Sequence, residues 1–298
     1  MNPVPLPTRR REAILQAQAK SPPPPVPLVK PARNDFRRVK YRKQLLKFIA
    51  PLLGLALLLL VWALVAESSS EFPSPPATWQ AAKELFAHPF YDHGPNDLGI
   101  GWNLLASLMR VAAGFSLAAL VGLPLGFILG RVEFLHRMCF PFISLLRPVS
   151  PLAWLPIGLY AFNNAPAAAV YTIFVCSLWP MLINTAIGVQ RVPQDYLNVA
   201  RVLNLSPWKV FTKILLPSAL PYMLTGIRLS VGTAWLVIVA AEMLTGGTGI
   251  GFWVWNEWNN LNLSHILIAI LLIGFTGMLL ESALSFFARL VSYDAPDL

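Results

Sequence analysis

The sequence predicts an all-α integral membrane protein with six transmembrane helices and both termini in the cytoplasm. Three observations carry that expectation. Of 298 residues, 56% are hydrophobic and 12% charged, with a mean hydropathy of +0.58, whereas soluble domains carry about 25% charged residues. Apolar runs of bilayer-crossing length recur along the chain, separated by short polar stretches. Lysine and arginine concentrate in alternate stretches, as expected when basic residues stay on the cytoplasmic side. The net charge of +9 therefore reports orientation and contact with anionic lipid, at about 1 kcal/mol per basic residue near the surface, and no nucleic-acid partner.

Residues 1–46 read as a disordered, basic, proline-rich cytoplasmic tail. SPPPPVPLVKP has no hydrophobic period and too little apolar surface to order itself, and Arg9, Arg10, Arg11, Arg37, Arg38, Lys40, Arg42, Lys43 and Lys47 crowd ahead of the first apolar run. The first span covers 47–66, KFIAPLLGLALLLLVWALVA, close to the ~20 residues that cross a bilayer core. It is longer than the apolar region of a signal peptide, and LVAESSS is a poor cleavage site. Residues 67–103 form a periplasmic segment in which Pro73, Pro75 and Pro76 lead into a short surface helix, ATWQAAKELF, and then a polar turn, YDHGPNDLG.

A five-helix core is expected over 104–289. Span two, 104–130, carries Gly114, Gly122, Gly126 and Gly130, a small-residue stripe suited to close helix contact. Arg131, Glu133, His136 and Arg137 make a cytoplasmic turn. Span three, 138–162, is interrupted by Pro141, Pro148, Pro151 and Pro156, each of which removes a backbone donor, so its breaks must face protein or water. Asn163, Asn164 and Pro166 turn the chain into span four, 167–189. The loop 190–228 holds Arg191, Arg201, Lys209, Lys213 and Arg228 and lies inside. Span five, 229–244, leads to an outer loop, GGTGIGFWVWNEWNNLN, without Lys or Arg, whose Trp253, Trp255 and Trp258 suit an interfacial aromatic belt. Span six is 265–287, and 290–298 is a cytoplasmic C-terminus.

The stretch QDYLNVARVLNLSPWKVFTKILLPSALP, set between two spans, is charged and amphipathic, which is the position of a docking device. VARVLNLSPWKV superficially matches a DNA-binding helix-turn-helix, a reading that a membrane-locked chain disfavours. The spacing of Ala200, Ile214, Leu216 and Pro217 resembles the cytoplasmic loop of ABC importer permeases, Glu-Ala-Ala, three residues, Gly, nine residues, Ile, one residue, Leu-Pro. Here Asn198 and Val199 replace Glu and Ala, and Asn204 replaces Gly. The resemblance implies a helix seated in a groove of a partner ATPase, which needs small side chains for close approach, expected from Ala200, and a turn that tolerates the left-handed backbone region, expected from Asn204.

The resemblance extends from about Lys47 to Tyr293. HPFYDHGPNDLG, LRPVSPLAWLPIGL, QDYLNVARVL and AAEMLTGGTGIGFWVWNEWNN narrow it to the nitrate, sulfonate, cyanate and bicarbonate branch, and within it to permeases of nitrate importers. It implies the type I importer permease fold in a bacterial inner membrane, and an ATP-driven importer of a small inorganic anion, nitrate or nitrite first, then bicarbonate, cyanate or a sulfonate such as taurine. It implies two cytoplasmic ABC ATPase subunits that bind ATP and Mg, a periplasmic substrate-binding protein, and a permease homodimer or pseudodimer. The ATPase-coupling residues it points to are Asn198, Val199, Ala200, Arg201, Asn204, Leu205, Ile214, Leu216 and Pro217. No GxxxxGK[ST] motif occurs, so hydrolysis belongs to a separate subunit.

Two ionisable residues stand out within the spans: Arg110 in span two and Glu242 in span five. Both lie within roughly 10 Å of the outer surface, so they are expected to pair or to share a polar cavity, either as a stabilising ion pair or along the substrate path. Arg147 and Arg228, near cytoplasmic ends, suit snorkelling to head groups and also an inner attractor for anions. Trp154 and its surrounding prolines fit a broken, pathway-lining helix or a kink that improves packing. Cys139 and Cys176 read as buried thiols, and His88, His93, His136 and His265 make no metal cluster. A secondary transporter or an intramembrane enzyme is disfavoured, because the chain has neither a convincing internal repeat nor an intramembrane catalytic cluster.

Overall fold

The computed structural model describes residues 33–69, 71–94 and 97–291, and the described residues are helical apart from turns and one isolated bridge between Asp92 and Leu98. The expected tail over 1–32 and the end of the chain from 292 lie outside the described residues. Two compact units divide between Val61 and Trp62. Helix α1, Arg33–Ser68, supplies the first unit's described structure. Residues 33–46, expected to lack order, are therefore helical: RNDFRRVKYRKQLL is rich in helix formers and contains no proline to stop propagation from the apolar run.

In the second unit, α2 (Pro75–Ala87) starts on two prolines at its N-terminus, where the missing N–H costs nothing. Then follow α3 (Ile100–Arg131), α4 (Glu133–Leu146), a 3₁₀ turn (Pro151–Trp154), α5 (Leu155–Phe162) and α6 (Ala165–Gln190). Next come α7 (Gln194–Val202), α8 (Pro207–Val210), a π turn (Phe211–Leu215), α9 (Leu216–Thr245), α10 (Ile250–Asn259) and α11 (Leu263–Val291). Five helical stretches are long and apolar enough to cross a membrane: 49–68, 100–131, 165–190, 207–245 and 263–290.

The sixth expected span is the α4–α5 pair, bent by 98°. Pro148 lies in the gap after α4 and Pro151 opens the 3₁₀ turn, so the chain cannot continue its hydrogen-bond ladder there, whereas Pro141, also expected to interrupt the span, lies inside α4. Asn163, at φ 48, ends α5, and the Asn164 side chain caps α6 by accepting from the Ala167 N–H at 2.9 Å.

Helix α6 packs against both α3 and α9. Along the first seam, Gly114, Gly122, Gly126 and Gly130 face Val170 and Ile173, Leu178 and Met181, Leu182 and Thr185, and Ala186 and Val189 in turn. A β-carbon at Gly126 would stand 2.6 Å from that of Thr185, so the small-residue stripe sets how closely the helices approach. Across the second seam, the Ser230 hydroxyl donates to the Ser177 carbonyl at 2.7 Å. The Trp235 indole N–H donates to the Ile273 carbonyl at 2.9 Å and joins α9 to α11.

Two boundaries differ from expectation. The loop expected over 190–228 is mostly helical, because α7 occupies Gln194–Val202 and 207–245 is one helical run. Pro217 would collide with the carbonyl four residues back in a regular α-helix; the π turn just before it widens the ladder, with the Leu216 N–H reaching the Phe211 carbonyl. The outer loop contains α10, and Trp253 is buried in the core and stacked on His265 at 5.7 Å. Only Trp255 and Trp258 keep the exposure that an aromatic belt requires.

Candidate functional site

The α7–α8 hairpin is built by its caps. At the end of α7 the Leu205 N–H reaches the Ala200 carbonyl and the Asn204 N–H reaches the Arg201 carbonyl, both at 3.0 Å. These are the two bonds of a Schellman cap, with Asn204 at φ 48 in the left-handed position usually given to glycine. Asn204 thus adopts the left-handed backbone anticipated for it, and Ser206 with Pro207 opens α8.

Ala200 faces inward. It and Leu197 are buried, whereas Tyr196, Asn198, Val199, Arg201, Val202 and Leu203 are exposed. The close approach that Ala200 permits is therefore to its own chain, because α7 turns that stripe away from solvent. The exposed side mixes the polar Asn198 and Arg201 with apolar side chains, including Val202 at 84% and Trp208 at 71% exposure. Leu197 joins Val192, Leu215 and Met223 in one cluster, against which Ile214 and Leu216 pack, while Pro217 is exposed and Leu205 half-buried. Trp208 stacks on Phe211 with ring centres 5.6 Å apart, and Phe211 meets Phe127 of α3 edge-on at 5.1 Å. The exposed hairpin is thereby keyed into the helical bundle.

A second constellation lies at the opposite end of α3 and α9. Glu242 is 1% exposed and accepts from Arg110 Nη1 at 2.6 Å, and the Ser107 hydroxyl stands 2.9 and 2.7 Å from its two oxygens. The Gly251 N–H donates to it at 3.1 Å. Arg110 also donates to the Thr248 carbonyl. Ser107 Oγ accepts from the Ile250 N–H and Asn103 Oδ1 from the Gly249 N–H, each at 2.9 Å, while Asn103 Nδ2 donates to the Leu98 and Gly99 carbonyls. A side chain at Gly249 would collide with the Glu242 carboxylate, and its φ of 148 is unfavourable to other residues. The network ties α3, the end of α9 and the start of α10 together. Its two charges compensate each other, which an ion needs to remain out of water.

Asn103, Ser107 and the glycines escaped the sequence reading, yet a signal was there. Positions 103, 107 and 110 share one face of α3 at helical spacing, a polar stripe in an apolar span. Glu281 was also missed; it lies within α11 and is exposed. Arg147, at the end of α4, and Arg228, on α9, are exposed, and Trp154 is half-buried in the 3₁₀ turn. Among the described residues no hydrogen bond or ion pair brings these three to Arg110 and Glu242. His265 of α11 and Glu257 of α10 pair at 2.8 Å. Burial, then the carboxylates of Asp97 and Glu257, push the Tyr91 hydroxyl above its ordinary pKa, so it stays a donor at neutral pH. Cys139 and Cys176 are both free thiols, and no group of three metal-ligating side chains exists among the described residues.

Residues 122–293 match the family described as the binding-protein-dependent transport system inner membrane component. The chain is 45% identical over 246 residues to the nitrate import permease protein NrtB of Synechocystis sp., covering 82% of this chain and 90% of that protein. It is 43% identical over 256 residues to the bicarbonate transport system permease protein CmpB of Synechocystis sp., covering 85% and 91%. A crystal structure of an amino acid ABC transporter with histidines aligns with a TM-score of 0.50 at 14% identity, over 72% of this chain and 97% of that one, a likeness of fold alone.

Proposed function

We propose that this chain, which belongs to the inner membrane components of binding-protein-dependent transport systems, forms the path by which an ATP-driven importer carries nitrate across the membrane. It is a multi-pass permease subunit of an ABC importer and no enzyme, with ATP hydrolysis left to a separate subunit. The observation that carries nitrate is the 45% identity to a nitrate import permease over 82% of the chain. The 43% identity to a bicarbonate permease keeps bicarbonate as the second reading. Both are small planar anions whose inward movement opposes an inside-negative potential, about 2.3 kcal/mol per charge per 100 mV, so import needs an energy source, and ATP hydrolysis by the separate subunit supplies one.

The motor's grip is the α7–α8 hairpin. Cytoplasmic ATPase subunits, which bind ATP and Mg, dock on Val199, Val202, Leu203 and Trp208, and a periplasmic binding protein delivers the anion to the opposite face. Two permease copies, or this chain and a paralogue, enclose the path. Movement of the hairpin passes to α3 through Trp208, Phe211 and Phe127, and to α6 and α9 through Leu197 and its cluster, a chain of contacts that supports this reading. Asn198, Ala200, Arg201 and Asn204 hold the hairpin's shape. Arg110 and Glu242 clamp the outer ends of the helices, whereas Arg147, Trp154 and Arg228 remain pathway candidates.

The deciding experiment is uptake of labelled nitrate and labelled bicarbonate in cells with and without the chain. Loss of nitrate uptake alone, restored by re-expression, is expected. Loss confined to bicarbonate assigns the second reading, and unchanged uptake of both removes the anion assignment.

A further inference from the structure

We propose that the end of α3 that bears Arg131 holds one anionic phospholipid, with an acyl chain in an apolar groove beside Phe127 and the phosphate on Arg131. The groove has a volume of about 520 Å³ and is lined by Leu123, Phe127 and Ile128 of α3 and by Phe211 and Leu215 of the π turn, with Arg131 at its end. A second cavity of about 400 Å³ is lined by Arg131, Glu133, His136, Arg137 and Gln190, among others. Arg131 is common to both, so an apolar slot and a polar cup meet at one guanidinium. That is the outline of an amphiphile.

Charge decides which amphiphile. In the cup, Glu133 is already paired with Arg137 at 2.6 Å, and His136 contacts Gln190 at 3.1 Å. Among the described residues Arg131 makes neither an ion pair nor a side-chain hydrogen bond, which leaves one uncompensated positive charge for one phosphate. Depth agrees: from Leu123 to Arg131 the helix rises about 12 Å, the step from head-group level into the acyl region. Phe127 and Phe211, the contact that links the hairpin to α3, form the groove's wall, so the lipid would pack against the coupling joint itself. The inference rests on the proposed orientation, which labelling a cysteine at Trp208 from each side of the membrane tests independently.

Its own test is native mass spectrometry of the purified importer complex, reading lipids retained from bilayers of phosphatidylcholine with a minor fraction of phosphatidylglycerol. The wild type is expected to keep phosphatidylglycerol preferentially. Arg131→Gln should reduce that preference about fivefold, equivalent to about 1 kcal/mol, and Arg131→Lys should restore most of it. Ile128→Trp, which fills the slot, should release both lipids. Equal retention of the two lipids by the wild type, or an unchanged preference in Arg131→Gln, would overturn the proposal. So would displacement of the lipid by inorganic phosphate, which reduces the site to an anion cup, or disulfide formation between copies through Ile128→Cys in place of lipid retention.

Discussion

Glu242 is a carboxylate with every oxygen occupied, at 1% exposure, and its partner Arg110 is 15% exposed. A buried pair adds little net stability, yet removing one member strands the other, at a cost of about 3–5 kcal/mol. Glu242→Gln and Arg110→Ala are each expected to lower the thermal midpoint of the reconstituted protein substantially. Because both act in one network, the double variant should cost about 0.5–3 kcal/mol less than the sum. Thermal unfolding of the four proteins in nanodiscs checks this, and strict additivity would remove the clamp assignment. The clamp reading and the pathway reading also diverge in transport: a clamp variant loses folded protein, whereas a pathway variant keeps it and loses flux.

At the scale of elements, the α7 cap carries the clearest expectation. Asn204 sits at φ 48 with both Schellman bonds made. Asn204→Gly should be neutral or slightly stabilising, since glycine adopts that region freely, whereas Asn204→Val should cost about 1–2 kcal/mol and loosen the hairpin. Retained uptake with Gly and reduced uptake at equal expression with Val is the expected pattern, checked with labelled nitrate. Asn at this position was legible in the sequence because it stands where the resembled loop carries glycine and because Asn tolerates the left-handed region. The α3 glycine stripe was legible for a similar reason, since four small residues on one face have little else to do in a span. What stayed hidden depends on tertiary context. Ala200 could face a partner or its own chain, and only the packing of α7 decides that. Trp253 had the composition of a belt residue, but α10 folds it into the core. The π turn before Pro217 is a response to strain, and no local pattern announces it. From sequence the run from Pro207 to Thr245 reads as loop and then span because its charged first turns resemble a loop, although the helix simply extends beyond the apolar segment.

For the whole molecule, the proposed docking of the motor on the hairpin's exposed apolar side chains makes a direct prediction. Val199, Val202, Leu203 and Trp208 of the hairpin are all exposed, and exposed apolar patches mark interaction sites. Val202 is 84% exposed and touches little of its own chain, so Val202→Glu should fold normally. Placing a carboxylate at the centre of a docked apolar patch typically costs about 2 kcal/mol or more, a loss of about thirtyfold in affinity. The expected result is wild-type amounts of protein in the membrane, loss of co-purifying ATPase subunits, and loss of uptake. Ala200→Glu distinguishes the two faces of the same helix. At 3% exposure that carboxylate would be buried without a partner, so the protein itself should disappear from the membrane and not merely detach from its motor. If Val202→Glu instead transports at the normal rate with its ATPase bound, coupling does not run through this surface.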